Sequence, residues 1–162
     1  MPNLTFGDTA KEYGTINSAT LIAESNYFVA ANLNIVAELN ALHRSPIYNY
    51  NIYGFQETSN DKGNHFFKDY YVSGTVDFIF GSGKSLYLRE GRGFTVITTQ
   101  ARESSSEDMG HSFVHGSITG TANNSFLGAW RSNPRVVYAF TEMSNVVNTA
   151  GWSHNRFPKR AK

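Results

Sequence analysis

An internal repeat restricts the fold of this sequence more than any other feature. Four eight-residue segments carry an apolar residue at their first and sixth positions, and three of the four end in glycine. These segments are residues 28–35, 47–54, 67–74 and 113–120. The first three start 19 and 20 residues apart, and the fourth starts 46 residues after the third, about two repeat lengths further on. Repeats of this length indicate a solenoid of stacked coils; one coil, near residues 86–97, does not show the pattern.

The composition agrees with a chain of strands and turns. The 162 residues suffice for one domain with a core, and 14% aromatic residues and 14 glycines accompany only 17% charged residues. Residues 1–20 hold several turn formers and predict an entry loop. Short β-prone runs predict strands. These runs are residues 20–23, 27–36, 47–55, 65–72, 76–80, 85–88, 94–99, 112–119 and 136–141. We expect one all-β domain over residues 1–162.

Charge and cysteine content exclude several classes of function. The formal net charge is +1, so no overall field points to a nucleic-acid partner. The absence of cysteine excludes disulfides and thiolate metal sites. Apolar runs are too short for a membrane span. The basic residues after Trp152 are interpreted as a solvated terminus, although they could also attract a polyanion.

A single acidic residue lies within an apolar, β-prone run. The run is Gly-Thr-Val-Asp-Phe-Ile-Phe-Gly, residues 74–81, and the acid is Asp77. A carboxylate in such a setting costs free energy unless it is paired or used. A second segment upstream, Tyr-Gly-Phe-Gln-Glu-Thr at residues 53–58, also holds an acid within an otherwise uncharged stretch. These two segments are the candidates for chemistry.

The repeat predicts which acidic residues meet. Counted from the start of each copy, the eleventh residues are Glu38, Glu57, Asp77 and Asn123. Neighbouring strands lie about 4.8 Å apart, so Glu57 and Asp77 should face each other on adjacent coils. Two carboxyl groups at that distance do not both ionise freely, and one should hold a proton at neutral pH. A nucleophile and a general acid need this division, whereas a polar ladder at a solvated turn is the structural alternative.

The two segments, in this order, resemble the signature motifs of the plant pectin methylesterase (pectinesterase) family, including its pollen-allergen-like members. The resemblance extends over residues 3–152 and implies a right-handed parallel β-helix, shortened by loss of the N-terminal coils of the family. It implies that Asp77 is the nucleophile that attacks a methyl-ester carbonyl. Glu57 stands where the family has an Asp that acts as general acid and base, and Gln56 matches a Gln that stabilises the oxyanion. No cofactor and no metal are implied.

Besides Glu57, three positions depart from the family pattern, and one of them, Tyr70 in place of a frequent Cys, is expected to affect packing alone. Glu38 occupies the place of a second oxyanion Gln, and an ionised carboxylate there would repel the developing charge. In the segment Phe-Leu-Gly-Ala-Trp-Arg, residues 126–131, Ala129 stands where the family has an Arg that pairs with the nucleophile. Arg131 is the candidate replacement. These departures predict weak or no esterase activity.

Aromatic residues and histidines near the motifs allow more than one interpretation. Phe80, Trp130 and Trp152 resemble positions close to the substrate groove of the family. Core filling is the preferred interpretation for Phe80, whereas for Trp130 the core and the groove are equally good interpretations. His111 and His115 share one face of a predicted strand. A metal site needs four convergent ligands, so we interpret them as surface histidines.

Three functions compete. The first is a carboxylic-ester hydrolase acting on methyl-esterified polygalacturonate in the plant cell wall. The second is a catalytically inactive, truncated or engineered β-helix that at most binds pectin. The third, another β-helix enzyme such as a lyase or polygalacturonase, does not carry the Gly-Thr-Val-Asp-Phe motif. The family is extracellular, although residues 1–5 lack a signal-peptide pattern, and missing coils would expose a solenoid end that favours self-association.

Overall fold

Short strands make up most of the protein. The computed structural model describes residues 1–7, 10–54, 58–75, 78–88, 98–121, 125–129 and 131–153. In chain order the elements are β1 (Asn3–Thr5), α1 (Ala10–Asn17), β2 (Leu21–Ala23), β3 (Ala30–Val36), β4 (Leu39–Ala41), β5 (Ser45–Tyr53), β6 (Ser59–Asp61), β7 (Asn64–Ser73), β8 (Ile79–Gly81), β9 (Lys84–Leu88), β10 (Thr98–Gln100), β11 (Gly110–Val114), β12 (Ser117–Ile118), β13 (Ser125–Ala129), β14 (Val136–Ala139), β15 (Glu142–Met143) and β16 (Val147–Trp152).

The strands form two long parallel sheets. In the described residues the first sheet has the order β1-β3-β5-β7-β9-β11-β14, and the second has the order β2-β4-β6-β8-β10-β13-β16. The short strands β12 and β15 pair with each other. Because the chain visits the two sheets in turn and every pairing is parallel, each coil contributes one rung to each sheet. The predicted fold class, an all-β parallel β-helix, is confirmed.

The repeat predicted from sequence is correct for its later copies. Ile47 pairs with Phe67 in the first sheet, as predicted. Phe67 then pairs with Tyr87, and Tyr87 pairs with Phe113. Tyr87 therefore supplies the missing copy between residues 67 and 113, where the apolar pattern was not evident.

The predicted register of the first copy is wrong by two residues. Ile47 pairs with Ala30, whereas the sequence pattern placed Phe28 opposite it. The cause lies at the corner between the two sheets. In the first coil only Glu38 separates Ala37, bonded to the first sheet, from Leu39 in the second, whereas the second coil has residues 55–58 at the same corner. The first coil is shorter there, so a fixed repeat length overestimates the spacing.

Stacked aromatic rings form the centre of the core. The rings of Phe67 and Tyr87 are 4.5 Å apart, those of Tyr87 and Phe113 are 4.5 Å apart, and those of Phe113 and Tyr138 are 4.9 Å apart. Each pair is nearly parallel, and the first three rings are almost completely buried. Such pairs contribute roughly 0.5–1.5 kcal/mol each beyond the burial of apolar area. The ladder therefore fixes the register of successive coils.

Asparagine and aspartate allow the strands of the first sheet to bend at one level. Asn32, Asn49 and Asp69 all have left-handed backbone conformations, with φ of 60°, 45° and 53°. Asn and Asp tolerate this conformation better than most residues. The side-chain amide of Asn49 also donates to the side-chain oxygen of Asn32 at 2.6 Å.

The predicted entry loop contains regular structure. β1 pairs with β3 at the end of the first sheet, and Asn34 donates its side-chain amide to Asn3 at 2.8 Å. α1 is interrupted at Gly14, whose φ of 78° is not helical. No helix in the described part of the chain is long and apolar enough to cross a membrane.

Candidate active site

Two glycines shape the corner that carries both sequence motifs. A Cβ atom on Gly54 would lie 2.3 Å from the Thr58 hydroxyl, and one on Gly74 would lie 2.4 Å from Cβ of Phe78. In both coils the residue four positions after the glycine therefore lies directly against it. A side chain larger than hydrogen at either position would force the backbone to move.

The two corners are stacked on adjacent coils. The Gly54 N–H donates to the Ser73 carbonyl at 3.0 Å, and the Ser59 N–H donates to the Phe78 carbonyl at 2.8 Å. Ser59 pairs with Ile79, a spacing of 20 residues, which is also the spacing of Glu57 and Asp77 in the sequence. The predicted catalytic residues Gln56, Glu57 and Asp77 themselves lie outside the described residues.

Glu38 lies at the same corner of the preceding coil. Its side chain is 9% exposed, and its carbonyl accepts from the Thr20 and Leu21 N–H groups. Because Leu39 pairs with Ser59, Glu38 is in register with Thr58. The sequence repeat predicted that Glu38 would align with Glu57, so the position differs by one residue.

The remaining predicted site residues are dispersed. Phe80 is 9% exposed and lies in β8 opposite Asn60 and Thr99, outside the main core cluster. The backbone of Ala129 pairs with that of Gln100, and Trp130 lies outside the described residues. Arg131 forms an ion pair of 2.9 Å with Glu103, and both side chains are about half exposed. The Arg131 guanidinium therefore has a carboxylate partner other than the predicted nucleophile.

A buried polar cluster beyond the corner was not predicted. We call Asp61, His65, Tyr87 and His111 the Asp61 cluster. The Tyr87 hydroxyl donates to Asp61 Oδ2 at 2.8 Å, and Nε2 of His65 and Nε2 of His111 each lie 3.3 Å from an Asp61 carboxylate oxygen. The Asp61 and histidine side chains are fully buried. Residues of four strands, β6, β7, β9 and β11, thus meet at one buried carboxylate.

Glycines make room for Asp61. A Cβ on Gly83 would lie 2.3 Å from Asp61 Oδ1, and one on Gly81 would lie 2.1 Å from the Asp61 carbonyl oxygen. Gly81 also has a φ of 122°, which side-chain-bearing residues rarely adopt. The buried Asp61 carboxylate therefore requires a residue without a side chain at Gly83, the second glycine of the Gly-Ser-Gly segment at 81–83.

The interpretation of both histidines as surface residues is wrong for His111. His115 is exposed and stacks on Phe140 with ring centroids 5.0 Å apart. His111 is fully buried, because its position in β11 continues the inward-facing column of His65 and Ser85. Among the described residues, no group of three or more His, Asp or Glu side chains has a metal-site arrangement.

The stability of the protein should fall as the solution becomes mildly acidic, because of His111. Burial lowers the pKa of His111 below 6.5, the Asp61 carboxylate raises it in part, and His65 lowers it further. The unfolded chain therefore binds this proton more tightly than the folded chain. The stability contributed by neutral His111 is complete above a pH of about 6.5 and is lost as the pH falls below that value.

Thermal unfolding between pH 5 and 8 tests this expectation. The unfolding temperature of the parent chain should fall more steeply below about pH 6.5 than that of His111→Gln, which cannot take up the proton. Asp61, His65 and Tyr87 face His111 and remain in both proteins. Parallel curves for the two proteins would contradict the assignment to His111.

Comparison with known proteins identifies the family. A family profile described as Pectinesterase matches residues 5–158. Pectinesterase 2 from Olea europaea is 48% identical over 176 residues, which cover 94% of this chain and 48% of that protein. Probable pectinesterase 49 from Arabidopsis thaliana is 47% identical over 176 residues, covering 95% of this chain and 49% of that protein. The chain spans about half the length of these curated relatives.

Solved structures share the fold. The pectin methylesterase from carrot superposes with a TM-score of 0.81 at 23% identity, over 98% of this chain and 59% of that one. The pectin methylesterase from Aspergillus niger superposes with a TM-score of 0.74 at 22% identity, over 90% of this chain and 56% of that one. At this identity the likeness shows a common parallel β-helix. From the family profile and the sequence relatives, the chain belongs to the pectinesterase family.

Proposed function

We propose that the chain is a carboxylic-ester hydrolase that removes methyl groups from methyl-esterified polygalacturonate. The observation that carries this proposal is the pair of glycine-shaped corners on adjacent coils, in a 20-residue register that equals the spacing of Glu57 and Asp77. Membership of the pectinesterase family supports the same chemistry. The plant cell wall is the matching location, because that is where such a substrate is found.

The reaction would proceed through an acyl-enzyme. An oxygen of the Asp77 carboxylate attacks the ester carbonyl carbon, and the bond to the methoxy oxygen breaks as Glu57 gives that oxygen its proton, releasing methanol. Water, deprotonated by Glu57, then attacks the anhydride, which restores the Asp77 carboxylate and frees a uronic acid that loses its proton to solvent. The Gln56 amide donates to the oxyanion formed in each step. These roles follow from the family resemblance and the residue chemistry.

A catalytically inactive pectin-binding β-helix is the second candidate. Ala129 favours it, because the sequence has no Arg at the position from which the family pairs a cation with the nucleophile. Self-association is a further proposal: in the described structure β1 and β2 end their sheets, with β3 and β4 as their only strand neighbours, so both present an open strand edge.

Methanol release from methyl-esterified pectin tests the proposed function. We expect slow release, at least about a hundredfold below that of a full-length plant pectinesterase assayed in parallel, because one oxyanion donor is replaced by Glu38. The Asp77→Asn variant should release none above background, since its amide is not a nucleophile. Circular dichroism establishes that both proteins are folded. Equal release by the folded parent and the folded Asp77→Asn variant would favour the inactive binding protein.

A further inference from the structure

Two adjoining cavities form one groove on the outer face of the first sheet, at the end where its strands begin. Their volumes are about 630 Å³ and 410 Å³, and both are lined by Asn64 and His65. Sites for small ligands have volumes of roughly 300–1,000 Å³. We call the combined feature the sheet-1 groove.

An apolar strip runs along the floor of the sheet-1 groove. Phe66 pairs with Leu86, Leu86 pairs with Ser112, and Ser112 pairs with Val137. The side chains alternate with buried neighbours such as Phe67 and therefore face outward, with Leu86 39% and Val137 49% exposed. Successive coils are about 4.8 Å apart, so the strip follows the solenoid axis. A flat, partly apolar ring could lie on it.

A polar column borders the strip. Asn64 pairs with Lys84, and Lys84 pairs with Gly110. Arg44 and Arg135 line the same groove at its two ends. Gly110 leaves room for Arg135, because a Cβ there would lie 2.9 Å from Arg135 Nε. Each of several successive coils thus offers one polar side chain beside the apolar strip.

The column is positively charged. The lining of the groove includes three cationic side chains, Arg44, Lys84 and Arg135, and one carboxylate, that of Asp108. Lys84 Nζ lies 2.6 Å and Arg135 Nη2 lies 3.1 Å from the Asp108 carboxylate. The Lys84 hydrogen bond, followed by that of Arg135, lowers the pKa of Asp108, so this carboxylate is ionised at neutral pH. Three cations and one anion leave two positive charges.

Lys84 and Arg135 are held in place before any ligand arrives. Arg135 Nε donates to the Met109 carbonyl at 2.8 Å while Nη2 contacts Asp108. A fixed guanidinium loses less conformational entropy on binding an anion than a freely rotating one. At the other end, Tyr27 is 76% exposed beside Arg44, and its backbone N–H donates to the Arg44 carbonyl at 2.6 Å. An aromatic ring and a cation therefore stand together there.

The geometry points to a second binding site in the sheet-1 groove, for an acidic polysaccharide made of uronate residues. Sugar rings would lie on the apolar strip formed by Phe66, Leu86 and Val137, and carboxylates would reach the cations of the polar column. A chain of uronates fits because both columns run along the solenoid axis over successive coils. Neutral polysaccharides would use the strip but gain nothing from the charges.

The sheet-1 groove is separate from the candidate active site. Asn64 begins the ten-residue strand β7 in the groove, whereas Ser73 ends it at the corner with the sequence motifs. The choice of uronate as ligand rests on the proposed function, because ester hydrolysis converts a neutral methyl ester into a carboxylate. The de-esterified part of a polysaccharide could therefore stay bound in the sheet-1 groove while another methyl ester of the same polysaccharide is hydrolysed at the candidate active site.

Binding of fully de-esterified oligogalacturonate, measured by titration calorimetry, tests the proposal. Lys84→Gln should raise Kd about threefold, and Arg44→Gln with Lys84→Gln should raise it roughly tenfold or more, because charge-assisted hydrogen bonds are lost. Lys11→Gln in α1, which makes the same change of charge away from the groove, should leave Kd unchanged. Ser112→Asp adds an anion to the strip without touching the ion pairs, and should also weaken binding.

Activity measurements separate this inference from the proposed function. The groove variants should release methanol from a short methylated substrate at the parent rate. If methanol is released but the double variant and Ser112→Asp bind oligogalacturonate as the parent does, the second site is overturned. Equal affinity of the parent for neutral dextran would overturn it as well. If the parent releases no methanol but its binding depends on Lys84 and Arg44, the second site stands and the proposed function fails.

Discussion

Asp61→Ala is expected to lower the free energy of unfolding by about 3–5 kcal/mol, as removal of one partner from a buried polar group does. Asp61 is completely buried, and the Tyr87 hydroxyl and two histidine nitrogens approach its oxygens at 2.8–3.3 Å. Alanine would leave the Tyr87 hydroxyl buried without its acceptor and would remove the carboxylate that lies beside the two buried histidines. The free energy of unfolding of a domain is typically only about 5–15 kcal/mol, so the variant would lose a large fraction of its stability.

Thermal or urea unfolding measures this loss. Asp61→Asn keeps an acceptor for the Tyr87 hydroxyl and should lose less stability than Asp61→Ala. Glu24→Ala removes an exposed carboxylate and should change stability by no more than about 0.5 kcal/mol. If Asp61→Ala is soluble and unfolds within that same margin of the parent, Asp61 does not hold the coils together.

The Asp61 cluster could not be predicted from the sequence because its residues look like those of a loop. Asp61 lies in the polar stretch Ser-Asn-Asp-Lys-Gly-Asn, residues 59–64, which carries no apolar alternation. Its strand β6 is three residues long and is defined by pairing with β4 and β8 rather than by its own propensity. Burial of Asp61 follows from the stacking of coils, which brings Tyr87 and His111 over it.

The long strands of the first sheet were predictable for the opposite reason. β5 and β7 alternate buried and outward-facing residues on both sides of a single interruption, at Asn49 and Asp69, so the period appears in the sequence itself. The copy that begins at Tyr87 was not recognised because its sixth residue is Arg92, where the repeat calls for an apolar residue. The register of the first coil was not predicted because its corner is shorter than that of the next coil, and a fixed repeat length does not detect such a local difference.

The sequence predicted which motifs form the candidate site, but it did not predict how all of their residues are arranged. The spacing of Glu57 and Asp77 matches the 20-residue register of the neighbouring strand pairs. The position of Glu38 depends on the shortened corner, and the sequence placed it one residue away from its register with Thr58. The partner of Arg131 is Glu103, which lies 28 residues earlier in another coil and carries no local signal.

Glu38→Gln should increase methanol release at least about tenfold over the parent chain, since a single oxyanion donor is typically worth a factor of 10²–10³ in rate. Glu38 is buried at the corner that precedes the two motifs, in register with Thr58. A carboxylate there opposes the negative charge that develops on the ester oxygen, whereas the Gln amide can donate to it. The gain should appear in kcat more than in KM, because the oxyanion exists only in the transition state and intermediate.

Two matched variants make this expectation specific to the site. Glu24→Gln removes the same charge from an exposed position and should leave the rate unchanged. Asp77→Asn in the Glu38→Gln background should return methanol release to background, which ties the gain to the proposed nucleophile. If Glu38→Gln folds like the parent but gains no activity, electrostatic repulsion at this corner is not what limits the chain. The cation missing at Ala129 is then the next of the family positions to test.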